Sequence, residues 1–363
     1  MSKPYGVISD SHNHAWSAFA TTLPSGVNSR LQTILDETWR AAEAVKAAGG
    51  YRLFHAGDLF HVRGNLAPSV LNPTMDLYRD IHDKLGVQTI LLAGNHDLEG
   101  RTAEDVSSAI TAMRGIGCQV VNTPSGERVG DVVLVPWHAA INELKDTIDE
   151  VAAHCTDPVE TDLIIHAPVD GVIKGLPDHG LDADWLLARG FRRVLAGHYH
   201  HHKQMAVDLK PGSVARSVYS IGATTHQTWS DIGSQAGFLI VDDDEVKWHS
   251  TNAPRFVEID GSVPPADIPL VADGNYVRIT INSSKSADVE ATRQFLMDAG
   301  ALGVVVLSEK TTTGATRTGA TYKAGTSIEQ SIGDYIKAQP HFAKPAELQT
   351  LCQDILTTVR SVA

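Results

Sequence analysis

Cysteine is scarce in this 363-residue sequence: Cys118, Cys155 and Cys352 are an odd number and widely spaced. That excludes a disulfide framework and a thiolate metal site, and it reads as free thiols in a reducing cytoplasm. No segment approaches the ~18 uninterrupted apolar residues that a membrane span needs. The first strand pattern, Tyr5–Ser9, comes almost at once. It leaves no room for a signal peptide, so a cytoplasmic location is expected. A P-loop ending in Gly-Lys-Ser/Thr, a GxSxG elbow and a CxxC pair are all missing, which sets aside ATP binding by a P-loop, serine-hydrolase chemistry and a zinc ribbon.

Positive charge is also short, with 30 Lys and Arg against 43 Asp and Glu and a net charge of −13. Proteins that grip DNA alone display a basic face, because phosphate neutralisation dominates affinity. Bound divalent cations would offset part of the deficit. The rest implies weak intrinsic DNA affinity, a partner that supplies the grip, or a small-molecule substrate. The length allows a large core plus one smaller domain.

Histidine, by contrast, is abundant and clustered. Five short groups recur between residues 10 and 200: Asp10-Ser11-His12, Gly57-Asp58-Leu59-Phe60-His61, Gly94-Asn95-His96-Asp97, Ile165-His166-Ala167 and Gly197-His198-Tyr199-His200. Each follows an apolar run that reads as a buried strand. Parallel strands of an α/β sheet present their C-terminal ends to one crevice, so groups far apart in sequence can share a site. Carboxylate, amide and imidazole donors without thiolate suit Mn, Fe or Zn. There are more ligands than one tetrahedral ion can use, so a pair of metals is the economical reading, as in enzymes that break phosphate esters.

Strand and helix signals alternate over the first ~255 residues, which argues for an α/β domain. Strands are expected at Tyr5–Ser9, Tyr51–Ala56, Gln88–Ala93, Val132–Pro136, Asp162–His166 and Arg193–Ala196. Helices are expected near Asn28–Ala48, Pro73–Leu85, Thr102–Arg114 and Ile141–Ala153. Strands follow at Val218–Gly222, Gly237–Val241 and Glu245–His249, the last two joined by a solvated turn at Asp242–Glu245. Asn252–Phe256 reads as a linker. Tyr276–Asn282, Ala287–Ala299 and Gly303–Ser308 then give a compact strand–helix–strand unit. Thr311–Ser327, rich in Thr and Gly, reads as a loop before two amphipathic helices, Ser327–Gln339 and Ala346–Val362.

The five groups, in this order, resemble the calcineurin-like metallophosphoesterase superfamily. The His at the end of Gly57-Asp58-Leu59-Phe60-His61 is similar to the SbcD-type DNA-repair nuclease branch, including its bacteriophage members. So are Pro211-Gly212-Ser213, the segment Ser220–Asp231 and the strand Gly237–Asp242. The resemblance is firm over about residues 4 to 260 and loose beyond. It implies two central β-sheets flanked by helices (1–255), a small α+β capping domain (256–310), a flexible linker (311–327) and a helical segment that docks on a partner (328–363).

The resemblance also implies roles. Asp58 would bridge two divalent metals, with Mn expected first and Fe or Zn as alternatives. Asp10, His12 and His200 would hold one ion, and Asn95, His166 and His198 the other. His96 would protonate the leaving oxygen or stabilise the transition state, with Asp97 holding its imidazole. His61 would contact the phosphate or position the scissile strand. His138 competes with His166 as a ligand, His201 and His202 are expected to face solvent or phosphate, and Arg30, Arg63 and Arg101 are either surface residues or contacts to a DNA backbone. The function implied is a Mn-dependent DNA nuclease subunit, acting as a homodimer with an SbcC-like ATPase and without a membrane. Its rivals are a phosphodiesterase for small or cyclic phosphodiesters, favoured by the acidic charge, and a metal-containing scaffold with little activity.

Overall fold

The computed structural model describes residues 3–100, 107–208, 215–243, 245–283, 285–308, 328–338 and 344–362. The strands are β1 (Tyr5–Ile8), β2 (Arg52–His55), β3 (Gln88–Leu92), β4 (Gln119–Val121), β5 (Glu127–Val129), β6 (Val132–Val135), β7 (Asp162–His166), β8 (Arg193–Gly197), β9 (Lys203–Asp208), β10 (Arg216–Ser220), β11 (Gly237–Asp242), β12 (Glu245–Ser250), β13 (Phe256–Ile259), β14 (Tyr276–Ile281) and β15 (Gly303–Ser308). The α-helices are α1 (Ser29–Ala47), α2 (Pro68–Asp80), α3 (Ile141–His154), α4 (Ala183–Leu187), α5 (Ile268–Ala272), α6 (Ser286–Asp298), α7 (Ile328–Ala338) and α8 (Pro345–Val362). They fall into two compact units, Met1–Ile281 with Lys285–Leu307, and 282–284 with Ser308–Ala363.

In the first unit two six-stranded sheets run β12-β11-β1-β2-β3-β4 and β5-β6-β7-β8-β10-β9, and a three-stranded sheet runs β13-β14-β15. This is the mixed α/β architecture with two central sheets that the sequence predicts. The facing sides of the two large sheets make the middle of the core: Val7, Phe54, Ile90 and Leu92 of one meet Val132, Leu134, Ile164 and Leu195 of the other. Alternate residues point outward, as the two-residue strand period requires. Ile8, Leu53 and Ile240 pack under Ala41, Ala42 and Val45 of α1. Leu163, Ile165 and Val194 pack under Leu144 and Ile148 of α3. Being covered on both sides explains why these strands read as continuous apolar runs. Tyr5 on β1 donates its hydroxyl to buried Asp162 on β7, which also takes Arg193 at 2.9 Å, and so fixes the two sheets in register.

Asn28 caps α1, accepting from the backbone N–H groups of Arg30 and Leu31 at 3.0 and 3.1 Å. Helix α2 starts at Pro68, five residues before the expected Pro73, which lies inside it. A proline in the first turn loses no helical hydrogen bond, and Pro68 takes that place. The helix then widens into a π-turn at Ile81–Leu85 that closes on Gly86. Of the helix expected at Thr102–Arg114, residues 102–106 lie outside the described residues, and the remainder enters a 3-10 turn, Ala109–Ile116. Asp242 pairs with Glu245 across a tight turn, as the sequence predicts. Phe256, expected in a linker, opens β13. Pro211–Ser213, Thr311–Ser327 and Arg101 lie outside the described residues. In the second unit α7 and α8 pack on each other. Among the described residues no helix is long and apolar enough to cross a membrane, and all three cysteines are free.

Candidate metal centre

β1, β2 and β3 are parallel neighbours in one sheet, and β7 and β8 are parallel neighbours in the other. Ile8 pairs with His55 and His166 with Gly197, so the strand ends stop at a common level. The residues just past those ends carry the five His/Asp/Asn groups. The chain turns sharply there: Asp10, His12, Asp58 and His198 have φ of 50°, 46°, 58° and 99°. A side chain in this left-handed region costs about 1–2 kcal/mol. Four such residues among seven expected ligands mean the fold accepts strain to converge these groups, as functional sites do. Two glycines make room. A Cβ on Gly57, itself at φ 100°, would collide with the His166 ring, and one on Gly94 would collide with the Asp58 carboxylate.

The seven expected ligands come together. Asp10, His12 and His200 place a ligand atom each within 4.8 Å of one another, and so do Asp58, His166 and His198. Asn95 Oδ1 lies 3.1 Å from both His166 Nε2 and His198 Nδ1. Asp58 Oδ2 sits between the groups, 3.6 Å from His12 Nε2 and 3.5 Å from His166 Nε2.

Proton positions follow from the outer partners, since a neutral imidazole carries one N–H. His166 donates Nδ1–H to the Ala56 carbonyl at 2.8 Å. His200 donates Nδ1–H to Asp231 at 2.7 Å. His12 Nδ1 faces His61 Nδ1 at 3.4 Å. In the neutral ring the other nitrogen of each is turned inward as a lone pair. His12 Nε2 and His200 Nε2 lie 3.3 Å apart. Two ring nitrogens at that distance need a shared proton or a cation between them. Burial works to lower His200, but Asp231 beside it outweighs burial and raises its imidazole. Asp10 Oδ1 is buried with no hydrogen-bond partner, while its other oxygen accepts from Ser9 Oγ and from the His198 N–H.

The electrostatics agree. Burial works to raise the Asp58 carboxyl, but His166 and His12 outweigh it and hold it well below the usual carboxylate range. Burial works to lower His166, but Asp58 beside it drives the imidazole upward. The protein alone thus draws a proton into the space between them. His12 and His198 are pushed down by burial and stay neutral, as ligands must. Donor types, orphaned lone pairs and charge all fit divalent cations.

The expected auxiliary residues are placed differently. Asp97 is buried and does not hold the His96 ring. Its oxygens accept from the backbone N–H groups of Asp58, Phe60 and Gly94 at 2.9, 3.0 and 2.9 Å, clamping the β2 and β3 loops together. Consecutive residues on a turn diverge, which puts Asp97 behind the loops and leaves His96 to donate Nδ1–H to the His61 carbonyl at 2.6 Å. The His96 amide donates to Asp58 Oδ1 at 2.8 Å. His61 stands at the rim, between the Trp16 ring at 4.5 Å and the His96 ring at 5.4 Å. Arg30 is 5% exposed, so it is not a surface residue. It donates to the Gln227 carbonyl at 2.6 Å and lies over the rings of Trp16, Phe256 and Tyr276. Arg63 is exposed.

His138, the rival to His166, turns away to the Pro136 carbonyl at 3.0 Å. His202 stacks on Trp248, and His201 is partly buried. Ser9 and Trp137 support the site without any expectation of it, as do Asp231 and Gln227, for which the resemblance of the Ser220–Asp231 segment implies no role. Trp137 stacks on His198 at 5.1 Å. Gln227 donates to the Asp10 carbonyl at 2.6 Å. For Asp231 the signal was present in Thr228-Trp229-Ser230-Asp231, a capping-box pattern, though that pattern points only to a helix start.

Known proteins were compared with this chain. No curated protein matches it. Among solved structures it is similar to a dimetal phosphatase from Danio rerio, with 10% identity, 68% of this chain and 96% of that one covered, and a TM-score of 0.40. It is also similar to the nuclease MPE of Pseudomonas putida, with 15% identity, 68% and 87% covered, and a TM-score of 0.29. Residues 3–202 match the calcineurin-like phosphoesterase family, Metallophos, and span all five strand-end groups. With more than half of its 363 residues inside that match, the chain belongs to the calcineurin-like phosphoesterase family.

Proposed function

We propose that this phosphoesterase is a two-metal phosphodiesterase acting on DNA, a Mn-dependent nuclease subunit. The observation that carries the two-metal part is the position of Asp58. A carboxylate oxygen has lone pairs for two ions, and Asp58 Oδ2 borders both histidine groups, 3.6 Å from His12 and 3.5 Å from His166. Asp10, His12 and His200 would hold one ion, and Asn95, His166 and His198 the other. Such a pair supplies Lewis acidity toward phosphate oxygens and an acidified water at neutral pH.

The chain's own residues do the rest. His96 can release a proton only from Nε2, since Nδ1 is tied to the His61 carbonyl. That proton would go toward the departing ester oxygen. His61, with Nδ1 accepting from His12, keeps its proton on Nε2 for a phosphate oxygen. Asp97 keeps the Asp58 and Asn95 loops at fixed separation. The DNA assignment rests on the sequence resemblance around His61 and the Ser220–Asp231 segment. It carries with it a capping role for 256–310, a linker at 311–327 and a docking role for 328–363 on an SbcC-like ATPase in a homodimer. The net charge of −13 favours the second reading, a phosphodiesterase for small or cyclic phosphodiesters.

The test is the purified full chain with Mn on single-stranded and duplex DNA, beside bis-p-nitrophenyl phosphate and cyclic nucleotides. The proposal expects Mn-dependent cleavage of DNA and of the nitrophenyl ester, both lost on chelation. Turnover of cyclic nucleotides with DNA left intact would instead establish the second reading.

A further inference from the structure

The loop between β10 and β11 is built around one buried carboxylate. Asp231 is 3% exposed although it lies in a loop. One of its oxygens accepts from the backbone N–H groups of Gln227 and Thr228 at 2.7 and 2.8 Å. The other accepts Nδ1–H of His200 at 2.7 Å. The same loop reaches the opposite side of the Asp10–His12–His200 group. Gln227 Nε2 donates to the Asp10 carbonyl at 2.6 Å, and Thr224 Oγ1 donates to the Ser9 carbonyl at 3.2 Å. Arg30 secures the loop from behind through the Gln227 carbonyl. Among the described residues the Asp58–His166–His198 group has no such outer carboxylate: His166 rests on the main-chain carbonyl of Ala56.

We infer that Asp231 is a positioning residue that fixes the tautomer and orientation of His200, and thereby sets the affinity of one metal of the pair, the one at Asp10–His12–His200, and not of the other. The inference rests on the two-metal reading above. A carboxylate offers only acceptors, so His200 must keep its proton on Nδ1 and present Nε2 as a lone pair. The neighbouring backbone decides what an amide would do there. In Asp231→Asn the side-chain oxygen is retained by the Gln227 and Thr228 N–H groups, which need an acceptor. The NH₂ then faces His200 Nδ1. That nitrogen must become the acceptor, and the proton moves to Nε2, where it blocks the metal. The near-isosteric change therefore acts on the proton position, while the loop keeps its backbone cap.

The experiment is equilibrium Mn binding to chelator-stripped full-length protein, with ¹⁵N NMR of the histidine rings of the metal-free chain. Wild type is expected to bind two ions. Asp231→Asn is expected to keep one at wild-type affinity and to weaken the other ~10–100-fold, the usual loss when an outer partner of a ligand is removed. Its His200 signal, recorded at alkaline pH where the ring is neutral, should change from the Nδ1–H to the Nε2–H form. Asp231→Ala, which leaves room for water as acceptor, should weaken the same ion and should not move the proton. A role confined to holding the loop makes the amide the milder change, so Asp231→Asn with wild-type binding of both ions and an Nδ1–H ring overturns the inference. Equal weakening of both ions overturns it as well. A wild type that takes up a single Mn contradicts the two-metal reading itself, a result separable from the variant's behaviour.

Discussion

The two histidine groups that share Asp58 are anchored by different means. His166 is fully buried at the end of a central strand and leans on a backbone carbonyl. Its neighbour Asn95 sits on a loop that Asp97 ties to the main chain of residues 58 and 60. In the other group the main chain of Asp10 and His12 donates to the Gly57 and Asp58 carbonyls, but the imidazoles lean on side chains, His200 on Asp231 and His12 on His61. A main-chain anchor can be lost only by deforming the sheet, whereas a side-chain anchor can be exchanged one residue at a time. The difference teaches that the His166 ring is oriented by the fold itself, while the His200 ring is oriented by a side chain that can be exchanged.

Asp58 belongs to both halves, so its substitution should have the largest effect. Asp58→Asn is expected to lower the content of both metals and to cut hydrolysis of bis-p-nitrophenyl phosphate beyond the ~10²–10³-fold typical of losing one electrostatic stabiliser. Elemental analysis beside the rate assay checks this, and full activity with unchanged metal content would rule out the bridge. The selective loss expected of Asp231→Asn comes next, since it touches one half alone.

His96 belongs to neither half. It contacts Asp58 through its amide N–H and makes no ring contact to a carboxylate among the described residues. His96→Ala should keep both metals and lose ~10²–10⁴-fold in DNA cleavage, the range for removing a general acid. A nitrophenolate leaves without needing a proton, so the loss on a nitrophenyl ester should be the smallest of these effects. Equal losses on both esters would exclude proton donation, and a missing metal would make His96 a ligand.

The sequence made some of this legible. Continuous apolar runs ending in His, Asp or Asn place β1, β2, β3, β7 and β8, because strands buried on both faces leave only their ends for polar chemistry. The convergence of Asp10, His12, Asp58, Asn95, His166, His198 and His200 follows from that pattern. What escaped depends on geometry without a local signal. The positive φ values at Asp10 and His198 are an example, since neither residue type signals them. Asp97 reads as a partner for the adjacent His96, yet a turn separates neighbours and sends it to backbone N–H groups instead. Arg30 reads as a surface cation and is enclosed by Trp16, Phe256 and Tyr276, the last two more than 200 residues away in sequence. Short β4 and β5, three residues each, carry too little pattern to be seen.

The account stands on two ions sharing Asp58, and the most direct measurement is anomalous scattering from Mn-soaked crystals recorded on both sides of the Mn absorption edge. Two peaks are predicted, ~3.5–4 Å apart as in two-metal hydrolytic sites, one among Asp10, His12 and His200 and the other among Asn95, His166 and His198, with Asp58 touching both. A single peak, or two peaks of which one lies away from Asp58, would contradict it.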